Sequence, residues 1–316
     1  MRVVFFGTPD FAVATLNAIF HSDHEVVGVV TTPDKPAGRG LKIHSSEVKE
    51  YALEKEIPIL QPVKLKDEDF LDALQKWNAD VFVVVAFRML PKEVYSMPKQ
   101  GTFNVHASLL PQYRGAAPIH WAIMNGETKT GITTFFLNNE IDCGDIILQK
   151  EIDILPDETT GELYDRMKIL GAQLAIETLN NIQFGNFNHL PQSIEKNTVL
   201  KSAPKINKED TYINWNRPAK DIINKIRGLS PYPGAVTLLK NNNENIVTVK
   251  IFEATVTPEK SNEKMGIIQT NNKSFLKISS IDFYISITNL QFEGKKRLDI
   301  KSFLQGTDIN NYTVLI

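Results

Sequence analysis

Asn104 and His106 stand two apart in the stretch FNVHASLLP, and Asp142 follows in IDCGDI. Residues two apart in a strand point to the same face, so an amide and an imidazole share one side of whatever strand carries them. A carboxylate on a nearby loop completes a set suited to acyl transfer onto an amine without a covalent intermediate. The amide and a protonated imidazole can stabilise the oxyanion of a tetrahedral intermediate. The carboxylate can raise the proton affinity of the imidazole and help move protons through a water. No nucleophilic Ser or Cys is required. Taken one at a time, a buried Asn-x-His pair and a loop Asp serve equally well as satisfied structural groups, and spacing alone does not separate the two readings.

Positioning such a set calls for strands that end together. RVVFFG (residues 2–7) is a continuous apolar run closed by Gly7, the pattern of a strand buried on both faces of a parallel sheet. TPDFAVATLNAIF reads as a helix, with Thr8 as N-cap, Pro9 at its first position and Phe11, Leu16, Ile19 and Phe20 along an apolar face. EVVGVVTT is a second buried strand, residues 46–56 a helix, IPILQP a short strand and DEDFLDALQKW a further helix. ADVFVVVAF and GTFNVHAS complete the strong strands. This alternation predicts a doubly wound, mostly parallel, Rossmann-like sheet. Ligands of such sheets bind at the carboxyl ends of the strands, where the order switches. AFRMLP and NVHASLLP both occupy that kind of end.

Further along, residues 131–155 read as two strands joined by a polar loop, and TGELYDRMKILGAQLAIETLNNI as a long amphipathic helix. Near residue 185 the pattern dissolves into Gln, Asn, Pro and Lys. The expected division is a catalytic domain over 1–185, a linker over 186–206 and a second domain over 207–316. The last holds a helix, PAKDIINKIRGL, and closely spaced short strands, which predict a small OB-like β-barrel.

The 316 residues exceed one ordinary domain, and 42% apolar with 23% charged residues is the composition of a globular chain with a real core. Net charge is −2, but from Asn207 onward 15 Lys and Arg face 11 Asp and Glu, which leaves the first 206 residues at −6. A basic C-terminal part suggests an anionic partner touching one domain. Cys143 is the single cysteine, so neither a disulfide nor a Cys-based zinc site forms within the chain. His21, His24, His44 and His106 have no metal-ligand spacing, and no metal is expected. No run approaches the roughly 20 apolar residues of a membrane span. These features point to the cytoplasm, with neither membrane association nor an obligate protein partner implied. FFGTPDF occupies the place of a dinucleotide fingerprint but lacks its further glycines, which argues against a nicotinamide enzyme.

FNVHASLLPQYRGAAPIHWAI followed by IDCGDIIL strongly resembles the 10-formyltetrahydrofolate-dependent formyltransferase superfamily, whose members carry Asn-x-His-x-Ser-Leu-Leu-Pro and a later Asp-x-Gly. Within it, FFGTPDFA, TTPDKPAGRG, RGAAPIHWAI and TTGELYDRM resemble the branch that formylates methionyl-tRNA, as do the linker and the C-terminal barrel. The resemblance spans essentially the whole chain. It implies a formyl donor, 10-formyltetrahydrofolate, and an acceptor, the α-amino group of methionyl initiator tRNA. It implies that His106 activates the formyl oxygen with Asn104 as partner donor, and that Asp142 holds His106 and a proton-relaying water. Ser108, Leu109, Leu110 and Pro111 would line the folate site, with Phe87, Arg88 and Met89 beside it. Lys35, Arg39 and Lys42, in a loop rich in Pro, Gly and basic residues, would meet tRNA phosphates. Lys295, Lys296 and Arg297 form a further basic patch, and a run of that kind is more often a solvated face. Two departures stand out: Arg88 in AFRMLP, where the family usually has an aromatic-Gly pair, and Cys143, where Thr is common. The alternatives are a formyltransferase acting on an amino sugar nucleotide, a catalytically silent tRNA-binding protein on the same scaffold, and a hydrolase releasing formate from the same folate.

Overall fold

The structure, a computed structural model, describes residues 1–37, 42–193 and 198–316. It separates into two units. The first holds Met1–Pro118, Lys129–Asp153 and Tyr164–Ser202; the second holds Ile119–Thr128, Ile154–Leu163 and Ala203–Ile316.

In chain order the first part of the molecule runs β1 (Arg2–Gly7), α1 (Asp10–Phe20), β2 (Glu25–Val30), β3 (Lys35–Ala37), β4 (Lys42–His44), α2 (Glu47–Glu54), β5 (Ile59–Leu60), α3 (Glu68–Lys76), β6 (Val81–Val85), α4 (Lys92–Tyr95), β7 (Thr102–His106), α5 (Pro118–Met124), β8 (Lys129–Phe136), β9 (Ile146–Asp153) and α6 (Thr160–Phe184). The main sheet has the order β5-β2-β1-β6-β7-β8-β9. The first five strands are parallel, and β8 and β9 add an antiparallel edge. The chain moves outward from β1 through β2 to β5, then returns to β6 on the other side of β1. The order therefore switches between β1 and β6, and β7 ends next to that switch, where such sheets bind ligands.

Why these runs form strands is visible in their burial. Val3, Val4, Phe5 and Phe6 are fully buried, so both faces of β1 are covered. On one face Val4, Phe6, Phe82 and Val84 pack with Phe70 and Leu74 of α3. On the other, a Cβ added at Gly171 of α6 would meet Val105 and Phe11 at ordinary van der Waals distance. Burying a side chain of this size is worth roughly 1.5–3 kcal/mol, which fixes the register that aims Asn104 and His106. The start of α1 differs from expectation. Pro9, not Thr8, is the N-cap, with an extended backbone and no side-chain cap. Proline has no N–H to donate and a fixed φ, so it ends the extended segment, and Asp10 supplies the negative charge that suits a helix N-terminus. Asp10 also accepts a hydrogen bond from Tyr164 and lies 3.4 Å from the Lys168 ammonium.

The second unit continues with α7 (Lys208–Thr211), α8 (Ala219–Gly228), β10 (Ala235–Asn241), β11 (Ile246–Lys260), β12 (Ile268–Thr270), β13 (Leu276–Ser279), β14 (Phe283–Phe292), β15 (Leu298–Asp299), α9 (Ile300–Gly306) and β16 (Tyr312–Leu315). Its strands are antiparallel in the order β12-β13-β14-β11-β10-β16, with β15 on β14. The two ends approach each other: a Cβ at Gly266, just before β12, would lie 3.0 Å from Ile316 and 3.3 Å from Val314 of β16. The sheet is thus a nearly closed, barrel-like shell. Its core is Trp215, Ile222 and Ile226 of α8, Leu239, Ile251, Ile278, Ile285 and Phe303.

Candidate functional site

The site is built at the end of β7. Asn104 is opposite Val84 on β6 and Phe135 on β8, and His106 is opposite Thr133. The turn that follows is tied to β8 and β9 through one buried hydroxyl. Thr133 Oγ1 accepts from the Leu110 N–H (3.1 Å) and from Gln149 Nε2 (2.9 Å), and donates to the Ser108 carbonyl (2.7 Å). Gln149 Nε2 also donates to the Leu110 carbonyl at 2.8 Å. The Ser108 hydroxyl donates to the Gln112 carbonyl at 2.6 Å, and the Leu110–Pro111 peptide is cis.

This places the expected folate residues differently from one another. Ser108 and Leu110 are buried and hold the turn, whereas Leu109 and Pro111 are half-exposed. Leu109 lies over β8, where a Cβ on Gly131 would come within 2.4 Å of it. After β6, Ala86 adopts a left-handed backbone (φ +47°) and Phe87 packs edge-on against Phe6. Arg88 donates to the carbonyls of Pro62 and Val63, its guanidinium lies over the Phe87 ring, and its Nε is buried without a partner among the described residues. Burial lowers the Arg88 pKa from its usual value. Met89 is exposed.

His106 is buried, and its Nε2 lies 2.9 Å from the carbonyl of Tyr113. A carbonyl only accepts, so Nε2 carries the proton. Nδ1 faces the Asp142 carboxylate at 3.8 Å, too long for a hydrogen bond and within ion-pair range. Asn104, two residues back, is half-exposed, and its amide has no hydrogen-bond partner among the described residues. Asp142 is a left-handed residue (φ +53°) whose Oδ2 accepts from the Gly115 N–H at 2.9 Å. Gly144 lies so tightly against β8 that a Cβ there would come within 1.6 Å of the Phe136 carbonyl oxygen. Between them Cys143 donates to the Ile141 carbonyl, and burial raises its thiol pKa, which opposes thiolate chemistry.

Asn104, His106 and Asp142 are thus brought to one locus. Tyr113 and Gly115, which touch His106 and Asp142, contribute only backbone groups, and no side-chain pattern could have marked them. Thr133 and Gln149 were hidden for another reason: Thr and Gln are residue types that read as solvent-facing, although Thr133 lies on β8, paired on both sides, and only β9 is at the edge. Among the described residues no three His, Cys, Asp or Glu come together in a metal-holding group, and no helix is long and apolar enough to cross a membrane.

The basic segment is anchored at its base. Asp34 pairs with Lys49 at 2.5 Å and accepts from Gln61 at 2.9 Å, which together lower its pKa. Where a featureless loop was expected, β3 and β4 pair antiparallel. Lys35 is exposed; Arg39 and the Lys42 side chain lie outside the described residues. In the second unit Arg297 is committed to Glu253, Asn289 and the face of Phe252, while Lys295 and Lys296 are exposed.

The family model described as "Formyl transferase" matches residues 1–179, and "Formyl transferase, C-terminal domain" matches 205–308. A Bacteroides fragilis protein named methionyl-tRNA formyltransferase is 50% identical over 309 residues, covering 97% of this chain and 95% of its own length. One of the same name from Clostridioides difficile is 43% identical over 316 residues, covering all of both. Among solved structures, WlaRD, a sugar 3N-formyl transferase in the presence of dTDP and 5-N-formyl-THF, superimposes with a TM-score of 0.65 at 22% identity, over 94% of this chain and 99% of its own.

Proposed function

The chain belongs to the formyltransferase family, and we propose from that premise that it transfers the formyl group of 10-formyltetrahydrofolate to the α-amino group of methionyl initiator tRNA. The relatives that match it nearly end to end carry the name of that activity. The observation that supports the site assignment is the setting of His106. Its ring is fixed between the Tyr113 carbonyl and Asp142, beside an Asn104 amide that no described protein group uses.

The neutral α-amino group attacks the formyl carbon. The carbonyl π pair moves onto oxygen, where the Asn104 amide donates to the charge and His106 joins it through Nδ1 once that atom carries a proton, its Nε2–H staying on the Tyr113 carbonyl. Collapse of the tetrahedral intermediate re-forms the carbonyl and breaks the bond to the folate nitrogen. That nitrogen leaves with a proton, and the amine loses one. Asp142 stands where a proton-carrying water would bridge to Nδ1, the side of the ring not committed to Tyr113. Leu109, Pro111, Phe87 and Met89 give the folate its apolar surface. Ser108, Leu110 and Arg88 act by holding the loops that present it. Lys35, Arg39 and Lys42 contact phosphates of the tRNA acceptor end, and the barrel adds basic contacts. The first domain, as 1–185, carries the chemistry, and 207–316 carries the barrel.

The test is to mix purified protein with 10-formyltetrahydrofolate and methionyl initiator tRNA and to follow formyl-methionine on the tRNA. His106→Ala should lose most of kcat, by roughly the 10²–10³-fold typical of removing one oxyanion donor, with tRNA binding kept. A wild type that releases formate but never formylates tRNA would refute the acceptor; a fully active His106→Ala would refute the site.

A further inference from the structure

The loop that carries Asp142 is held by a residue far along the chain. Gln192 Nε2 donates to two carbonyls of that loop, Asp142 O and Gly144 O, each at 2.9 Å. Its Oε1 accepts from Arg114 Nε (3.1 Å) and Nη2 (2.6 Å). Arg114 lies between Tyr113, whose carbonyl holds His106, and Gly115, whose N–H holds the Asp142 carboxylate. One side-chain amide thus connects the backbone of Asp142 to the three-residue stretch that orients both the imidazole and the carboxylate.

Residue 192 falls in the stretch read from sequence as a linker, and between the two family-model matches, which stop at 179 and resume at 205. The described parts of this stretch are docked at both sides of the site. Leu190 exchanges backbone hydrogen bonds with Ile146 at the start of β9 (2.8 and 3.2 Å). Lys201 accepts from the Tyr113 N–H at 2.7 Å and donates its own N–H to Gln112 Oε1 at 2.9 Å, and Ser202 bridges to Arg114.

We infer that Gln192 is a positioning residue for the formyl-transfer site, acting through Asp142. The chemistry asks for this side chain in particular. Two carbonyls need a two-hydrogen donor, and the Arg114 guanidinium needs an acceptor on the same group, which an amide supplies and a carboxylate or thioether does not. The clamp matters because Asp142 has a left-handed backbone that residues bearing a Cβ adopt only when their surroundings impose it. Without Gln192 the two carbonyls lose their shared donor, the loop relaxes, and the carboxylate drifts from His106.

The inference rests on the role proposed for Asp142, and the experiment separates the two. Single-turnover formylation is measured for wild type, Gln192→Ala, Asp142→Asn and the double variant, with KM for folate and tRNA from steady state. Gln192→Ala should lower kcat by roughly 10–100-fold, the usual cost of losing a group that orients a catalytic one, with both KM values within about threefold. In the Asp142→Asn background the same change should cost less than about threefold, since residues acting as one unit are not additive. Equal losses in both backgrounds, or a loss confined to KM, would mean a merely structural role and overturn the inference. A fully active Asp142→Asn would overturn the role of Asp142 itself. Gln192→Glu keeps the length and the Arg114 contact but sets an acceptor against two carbonyls. It should show the same kcat deficit with an unchanged urea midpoint, and wild-type kcat in that variant would overturn the inference even where Gln192→Ala fails to fold.

Discussion

Replacing Thr133 by Val removes one hydroxyl, keeps the shape of a fully buried side chain, and tests how the turn after β7 is held. The hydroxyl makes three hydrogen bonds, and two of its partners, the Leu110 N–H and the Ser108 carbonyl, are backbone groups of buried residues. Gln149 loses one acceptor but keeps the Leu110 carbonyl. A buried backbone group left without a partner costs about 1–3 kcal/mol, so two cost about 2–6 kcal/mol, and partial relaxation favours the lower half of that range. Set against a whole-protein stability of roughly 5–15 kcal/mol, such a loss is easily read. It can surface in two places. If the turn stays in place, the urea midpoint falls. If the turn lifts so that water reaches the stranded groups, Leu109 and Pro111 leave their positions and folate binding weakens, tenfold for every 1.4 kcal/mol. Urea unfolding and the folate KM are therefore measured on the same variant, with Thr133→Ser as the control that restores the hydroxyl. A Thr133→Val protein with a stability loss under about 0.5 kcal/mol and a folate KM within threefold of wild type would show that this hydroxyl does not hold the turn, and the reasoning would fail.

Two further outcomes are expected. His24 and His120 both have pKa values lowered from 6.5, chiefly by burial, so the folded state resists protonating them. Their contribution to stability is complete above pH 6.5 and is lost as pH falls from there through the lowered values; the drop in urea midpoint between pH 7.5 and 5.5 should shrink in His24→Gln, and a drop of undiminished size would contradict the assignment. Arg39→Ala should weaken use of tRNA while leaving folate KM alone, and the dependence of tRNA KM on salt should become shallower by about one phosphate contact; an unchanged salt slope would remove Arg39 from the interface.

Much of the architecture could be read in the chain because its strands are buried on both faces and announce themselves as unbroken apolar runs. Val3 to Phe6 and Val81 to Val85 needed no alternation to be recognised. The barrel-like second unit was legible for a different reason, its apolar stretches being broken by turn residues, although β11 runs to 15 residues where a short strand was expected. The edges were harder. β3 and β4 carry Lys, Pro and His in a segment whose polarity reads as a loop, and only their mutual pairing makes them strands. Thr8 looked like an N-cap because its side chain is the right type; the backbone constraint on Pro9 decided otherwise.

The site itself divides along the same physical line. Asn104 and His106 were visible because a polar pair inside an apolar strand is costly unless it is used or satisfied. What holds the rest of the site was not, because the restraint comes from groups without sequence signatures: the carbonyl of Tyr113, the N–H of Gly115, a Thr hydroxyl on the antiparallel strand β8, and an amide in a stretch of Gln, Asn and Pro. Apolar packing is written in composition and period, whereas hydrogen-bond restraint depends on where a single atom arrives in space. The tightness of Gly144 against the Phe136 carbonyl makes the point. Its identity is dictated by a contact 1.6 Å from an atom that is not there, and the sequence shows only a glycine after Asp142 and Cys143. A loop built that way has little slack of its own to absorb a lost partner. The polar contacts at its rim, from Gly115 on one side and Gln192 on the other, therefore decide where the carboxylate stands, and substitutions in that unremarkable stretch should register in kcat before they register in stability.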